Sequence, residues 1–192
     1  MHRLRKHDLS HFLGLAIGLF TIWVLLSGKF EIKFLLTGLL SSLVISYISI
    51  PLLTIKNVKT GKEFFVLNIN HLKLIPYSIW VVKEIFKSAI DVSREILKFH
   101  VDYEPRIVYF SMPFENPMAG VILSNSIILT PGTITLDVTE DGIFEVHAIN
   151  QKAADDMLSG TMALKVAALF GETCEFVPLP NMEISDIPRE VF

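Results

Sequence analysis

The chain of 192 residues has a single cysteine, Cys174, which excludes a disulfide framework and any CxxC-type metal cluster, since both need a pair of thiols. Charge is scarce as well: 19% of residues are Asp, Glu, Lys or Arg against 51% hydrophobic, and the mean hydropathy is +0.50. So apolar a composition excludes a disordered chain and one that coats nucleic acid. Neither a G-x-x-x-x-G-K-[ST] loop nor a G-x-G-x-x-G turn occurs, so ATP hydrolysis and hydride transfer are without support. The charge that is present is divided unevenly. Residues 1–103 hold 13 Lys and Arg against 7 Asp and Glu, and residues 104–192 hold 4 against 13, balances of +6 and −9. Two bodies in different surroundings are implied.

Two stretches lack charge altogether. Leu9 to Gly28 gives 20 consecutive residues without Lys, Arg, Asp or Glu, and Phe34 to Ile55 gives 22, with Pro51 near its end. A helix as long as the first reaches roughly 30 Å, the thickness of the hydrocarbon core of a bilayer. The link, Lys29 to Thr37 at its widest, suits a tight hairpin, so residues 1–55 read as two transmembrane helices. A cleaved signal peptide is the alternative, because His2, Arg3, Arg5 and Lys6 precede the first stretch. Its length, the lack of an A-x-A site after it and the second span directly following favour retention. Arg3, Arg5 and Lys6 lie before the first span and Lys56, Lys59 and Lys62 after the second, with only Lys29 and Lys33 between. Both ends are therefore expected in the cytoplasm.

The spans also lack what ion carriage needs. A subunit that moves protons or cations places carboxylates, lysines or histidines at depth. Here His11, close to the end of the first span, is an interfacial histidine on this reading. Gly14 and Gly18 form a G-x-x-x-G pair, joined by Gly38, Ser41, Ser42 and Ser46, small residues that let helices pack closely.

From about His71 to Phe99 the pattern becomes amphipathic. Leu72, Ile75, Ile79, Val82, Phe86, Ala89, Ser93 and Ile96 recur at spacings of three and four. Lys73, Tyr77, Trp80, Glu84, Lys87, Asp91, Arg94 and Lys98 form the opposite stripe. One stripe is expected to meet lipid or protein, the other water. Tyr77 and Trp80 stand where an aromatic belt would, and the nine uncharged residues Leu74 to Val82 are too few to cross. Residues 56–103 read as a connector and a helix lying in the interface or descending from it. A solvated helix on a globular core is the alternative.

Residues 104–192 read as a small soluble domain. Arg106 to Phe110 is a strand; Asn116 and Pro117 open a helix that Thr130, Pro131 and Gly132 end. Strands Thr133 to Val138 and Ile143 to Ile149 alternate apolar and polar residues around an Asp141-Gly142 turn. A last helix is expected over Ala153 to Phe170, with Asp155 and Asp156 in its first turn and Gly171 past its end. The tail is broken by Pro178, Pro180 and Pro188. The order β-α-β-β-α is most of a ferredoxin-like α+β domain. The expected fold is thus a membrane α-helical hairpin, an amphipathic helix and a small cytoplasmic ferredoxin-like domain.

Two constellations carry a chemical reading. Asp137, Thr139, Asp141 and Gly142 imitate the start of a calcium loop, yet the twelfth position, which needs a bidentate acid, is Ala148. The turn reading is preferred. Ser124, Ser126, His147 and Asp137 supply the residue types of a hydrolytic triad, but no G-x-S-x-G elbow surrounds either serine.

The stretch Leu123-Ser-Asn-Ser-Ile-Ile-Leu-Thr-Pro-Gly-Thr-Ile-Thr-Leu-Asp-Val138, with Val146-His147 after it, closely resembles the signature of the E subunit of Mrp-type (Mnh or Pha) multisubunit Na+/H+ antiporters. Hairpin, amphipathic segment and motif fall in the family's order; Ala148-Ile-Asn-Gln-Lys departs from its pattern. The resemblance implies a place in a seven-subunit plasma-membrane antiporter, in which the large subunits carry the ion pathway and this one is a non-catalytic scaffold. It implies other hydrophobic subunits and lipid as partners. No cofactor, metal, nucleic acid or small-molecule substrate of its own is expected. The motif residues Ser124, Asn125, Ser126, Thr130, Pro131, Gly132, Thr133, Thr135, Asp137 and His147 are read as structural, proline fixing φ and glycine accepting a positive one. The same scaffold in a membrane-bound hydrogenase or respiratory complex is the runner-up. A stand-alone membrane-anchored binding module is a second class, and an enzyme using His147 or Asp137 a third.

Overall fold

The computed structural model describes residues 6–66, 69–98 and 104–179. Arg3 and Arg5, the expected helix end at Phe99, and Pro180 and Pro188 lie outside the described residues. The chain divides into two compact units, one holding the residues up to Ile55 with Phe65 and Val66, the other Lys56–Phe64 and the chain from residue 69 onward.

The first unit is a helical hairpin, α1 (Lys6–Ser27) and α2 (Ile32–Leu52). The second helix starts two residues before its uncharged run and stops three short of Ile55. Contact between the helices is made by small side chains. Gly38, Ser42 and Ser46 recur every fourth residue along α2 and are buried, as is Ala16 of α1. The Trp23 ring lies so close over Gly38 that a Cβ there would overlap the indole, and its Nε1 donates to the Phe34 carbonyl at 3.2 Å. Gly14 and Gly18 are not part of this contact; nothing lies within 4 Å of where their Cβ atoms would be. The rest of the hairpin surface is apolar and uncovered, with Ile17 64% and Leu40 66% exposed. A soluble protein would bury such helices. Two candidate membrane spans, Leu9–Ser27 and Ile32–Leu52, follow from length and composition.

A two-stranded ribbon, β1 (Thr54–Lys56) and β2 (Glu63–Phe65), follows the hairpin. The second unit then runs α3 (His71–Ile96), β3 (Arg106–Ser111), α4 (Pro117–Leu129), β4 (Thr133–Val138), β5 (Ile143–Ala148), α5 (Gln151–Leu158), α6 (Thr161–Phe170) and β6 (Val177–Pro178). The sheet order is β4-β5-β3-β6 with every neighbouring pair antiparallel. Val108, Phe110, Phe144, Val146 and Ala148 fill one face and meet Leu123 and Ile127 of α4, Ala154 of α5 and Val166 of α6. Phe110 stacks on Phe144 at 4.9 Å and Phe114 meets Phe144 edge-on.

Four expectations change. The last helix is two helices, because Gly160 takes φ +69 between them and the Phe176 ring fills the space its Cβ would occupy. The first of the pair begins at Gln151, capped by the Asn150 side chain at 2.9 Å from the Ala153 amide, so Asp155 and Asp156 fall beyond its first turn. On β4 the alternation points Ile134 and Leu136 outward, 47% and 51% exposed, while Thr133 and Thr135 turn to α4. Thr133 donates to the Ile127 carbonyl in the last turn of α4, an end carbonyl that needs donors, and Thr135 to the Ser124 carbonyl one turn earlier. Finally, α3 turns only part of its polar stripe to water: Lys73, Lys87, Arg94 and Lys98 are exposed, while Tyr77, Trp80, Glu84 and Asp91 are half-buried. Tyr77 and Trp80 pack on the core of the domain instead of forming a belt.

Candidate functional site

The motif residues from Ser124 to Thr135 line the seam between α4, β4 and α3, while Asp137 and His147 lie outside it. Asn116 caps α4, its Oδ1 accepting the Met118 amide at 3.0 Å beside Pro117. At the other end of α4, Thr130 Oγ1 and Thr133 Oγ1 both donate to the Ile127 carbonyl, at 2.7 and 2.9 Å. Thr135 Oγ1 reaches the Ser124 carbonyl, and Asn125 Nδ2 returns to the Val121 carbonyl. Gly132 adopts φ +95, and a Cβ there would lie 3.0 Å from Ile149 and 3.2 Å from Val92. Glycine at this turn lets Ile149, just past β5, and α3 approach the backbone.

Ser126 and His147 are not brought together. Ser126 Oγ pairs with the Tyr77 hydroxyl at 2.7 Å on the helical side of the sheet. His147 projects from β5 on the opposite face, since its neighbours Val146 and Ala148 point into the core. Asp137 accepts its neighbour's amide from Val138, and Asp141 is held by Lys59. Among the described residues no group of three His, Cys, Asp or Glu could hold a metal ion.

Sequence reasoning held the docking of α3 on a globular core only as its alternative and missed the clasps around it. Lys165 Nζ sits 4.9 Å over the Trp80 ring, Lys73 Nζ donates to the Ala168 carbonyl at 3.1 Å and Lys152 pairs with Asp91 at 2.6 Å. The Lys152 hydrogen bond holds the Asp91 carboxyl below its ordinary pKa, and burial pushes the Tyr77 phenol above its own. Lys59 and Lys62 tie the ribbon turn to Asp141 and Glu115, and Asn57 Nδ2 donates to the Glu115 carbonyl at 2.7 Å. The opposite balances of the two halves were the available signal for these pairs. Glu172 clamps the start of α4, accepting the Glu115 and Asn116 amides at 2.8 Å each. No pattern announces it.

A cleft of about 390 Å³ opens between α3 and the Thr130-Pro131 turn. Its charges cancel: Lys87, Arg94 and Lys152 face Glu84, Asp91 and Asp156. Such a wall offers no field of one sign to a charged ligand.

The family described as Na+/H+ ion antiporter subunit, MNHE, matches residues 16–166. The chain belongs to this family. Two relatives named Na(+)/H(+) antiporter subunit E1 are similar to it. The one from Staphylococcus haemolyticus is 27% identical over 72% of this chain and 82% of its own length. The one from Staphylococcus saprophyticus is 29% identical over 67% and 75%. A chain of the membrane-bound sulfane sulfur reductase, an archaeal respiratory membrane complex, has the same fold at a TM-score of 0.61 and 24% identity, over 84% of this chain and 99% of its own. Membership covers the hairpin from Ala16, α3 and the motif through most of α6. It places the chain in the membrane, in keeping with its two apolar helices long enough to cross one.

Proposed function

We propose that the chain is a non-catalytic assembly subunit of a multisubunit Na+/H+ antiporter in the plasma membrane, supporting pH and sodium homeostasis. The observation that carries this is the hairpin itself: neither uncharged run holds an Asp, Glu, Lys or Arg, while Gly14 and Gly18 stand open on the side of α1 away from its own partner. Helices of this kind can dock on neighbours but provide no relay for a moving charge. The names of the staphylococcal relatives support the antiporter, and the hydrophobic companions are its other subunits and lipid. Residues 1–55 serve as anchor, 56–103 as connector and 104–192 as a cytoplasmic domain. Lys56, Lys59 and Lys62 after the second span support this orientation. The element order from β3 to β6 with sheet order β4-β5-β3-β6 supports a ferredoxin-like topology, completed by a strand the sequence reading did not include. The motif residues from Ser124 to Thr135 shape the seam, and no motif residue binds a ligand or cofactor.

Deleting the gene and assaying both sodium resistance and the remaining complex tests this. Loss of resistance together with loss of the assembled subunits is expected; normal sodium export by an intact remainder refutes it. The fold shared with a respiratory-complex chain favours one second reading, the same scaffold in a respiratory assembly. Purification through a tag on this chain separates the two, since redox subunits would travel with it only in that case.

A further inference from the structure

The outward face of α3 has no partner among the described residues of its own unit. Leu72, Ile75, Ile79, Val82, Phe86 and Ile90 are each at least half exposed, in one line along the helix. Docking of the opposite face explains why: Tyr77, Trp80 and Asp91 are taken up by α4, α6 and α5, so the domain cannot also bury the apolar line. The charges of α3 are sorted in the same way. Side chains of Glu84, Asp91 and Glu95 are 25%, 25% and 24% exposed, while Lys87 and Lys98, which pair with Glu84 and Glu95 at 3.3 and 2.6 Å, lie outside them at 52% and 58% exposed. With Lys83 and Arg94, also exposed, these cations fall within about a quarter of the helix circumference, directly beside the apolar line. A protein groove would have to accommodate an apolar line several turns long with a basic rim on one side only. A bilayer leaflet bearing anionic lipid offers both without a groove.

We propose that α3 lies on the anionic cytoplasmic leaflet, its apolar line among the acyl chains and Lys83, Lys87, Arg94 and Lys98 on lipid phosphates. The domain is then held against the membrane through the helix it carries. This rests on the membrane reading of the hairpin. Eighteen residues separate Leu52 from His71, so the chain itself keeps α3 within about 60 Å of the second span, less for the part folded as a ribbon.

The test uses the full chain, with the subunits that co-purify, reconstituted into phosphatidylcholine vesicles with and without phosphatidylglycerol. Nitroxides are placed one at a time by Phe86→Cys, Ile17→Cys and Glu140→Cys in a Cys174→Ser background; the three labelled positions are exposed, so the labels do not threaten the fold. Collision with oxygen and with a water-soluble nickel chelate gives each site's surroundings. In vesicles containing phosphatidylglycerol, Phe86→Cys is expected to resemble Ile17→Cys and to differ from the aqueous Glu140→Cys. Each cation is worth about fivefold in surface-bound population, so K83Q/K87Q/R94Q/K98Q, or omission of phosphatidylglycerol, should move Phe86→Cys most of the way to the aqueous value. A Phe86→Cys label as wet as Glu140→Cys while Ile17→Cys reports lipid overturns the proposal. So does one shielded from both reagents, which means a neighbouring subunit covers α3. If Ile17→Cys is itself aqueous, the membrane reading has failed and this proposal with it.

Discussion

Cys174 shows how far a residue's neighbours can change its chemistry. Burial first, and then the Glu172 carboxylate that accepts its thiol at 3.2 Å, push the pKa up to about 11. The folded value lies above the unfolded one, so the thiol's contribution to stability is intact below about pH 8.5 and is lost progressively as pH rises toward the folded value. Alkylation by iodoacetamide at pH 8 is expected to be at least about tenfold slower in the native chain than in denaturant, because thiolate is the reactive form. Equal rates in the two states contradict this. The sequence reads Cys174 as a small buried residue, whereas it is half-buried beside Glu172; that Glu172 also ties down the start of α4 was not legible, since those partners lie 57 and 56 residues away.

At the level of elements, capping and turn chemistry were readable because they are local. Asn116-Pro117 and Thr130-Pro131-Gly132 bound α4 where their side chains and φ preferences say they should. The break between α5 and α6 is different: the Ala153 to Phe170 stretch reads as one continuous helix, and only Phe176, arriving from beyond it, makes a left-handed Gly160 the favourable choice. Gly160→Ala is expected to cost about 1–3 kcal/mol, from a strained φ and a displaced ring, measured as a lower midpoint of thermal unfolding. An unchanged midpoint would show that the helices can fuse without penalty. The inverted burial of β4 has a similar origin. Period two was visible, but which face is inward depends on the carbonyls that α4 brings to Thr133 and Thr135.

For the whole molecule, the two helices of the hairpin use small residues in opposite ways. Gly38, Ser42 and Ser46 are spent inside the hairpin, and Gly14 and Gly18 are left facing out. Replacing both open glycines, Gly14→Leu with Gly18→Leu, is expected to leave the hairpin folded and to lower the recovery of co-purifying subunits several-fold, read by quantitative tagging. Full recovery places the docking face elsewhere on the chain. By itself the sequence determined that there are two apolar runs without formal charge, that a basic half precedes an acidic one, and that a motif-bearing α+β domain follows. Hydropathy, charge and turn preferences are properties of residues and their near neighbours, so they survive in a linear string. The tertiary structure alone decided which small residues are consumed within the hairpin, which face of α3 the domain takes and which it leaves bare. Those outcomes depend on contacts between residues far apart in the chain, and an amphipathic pattern is the same whichever of its two faces finds a partner.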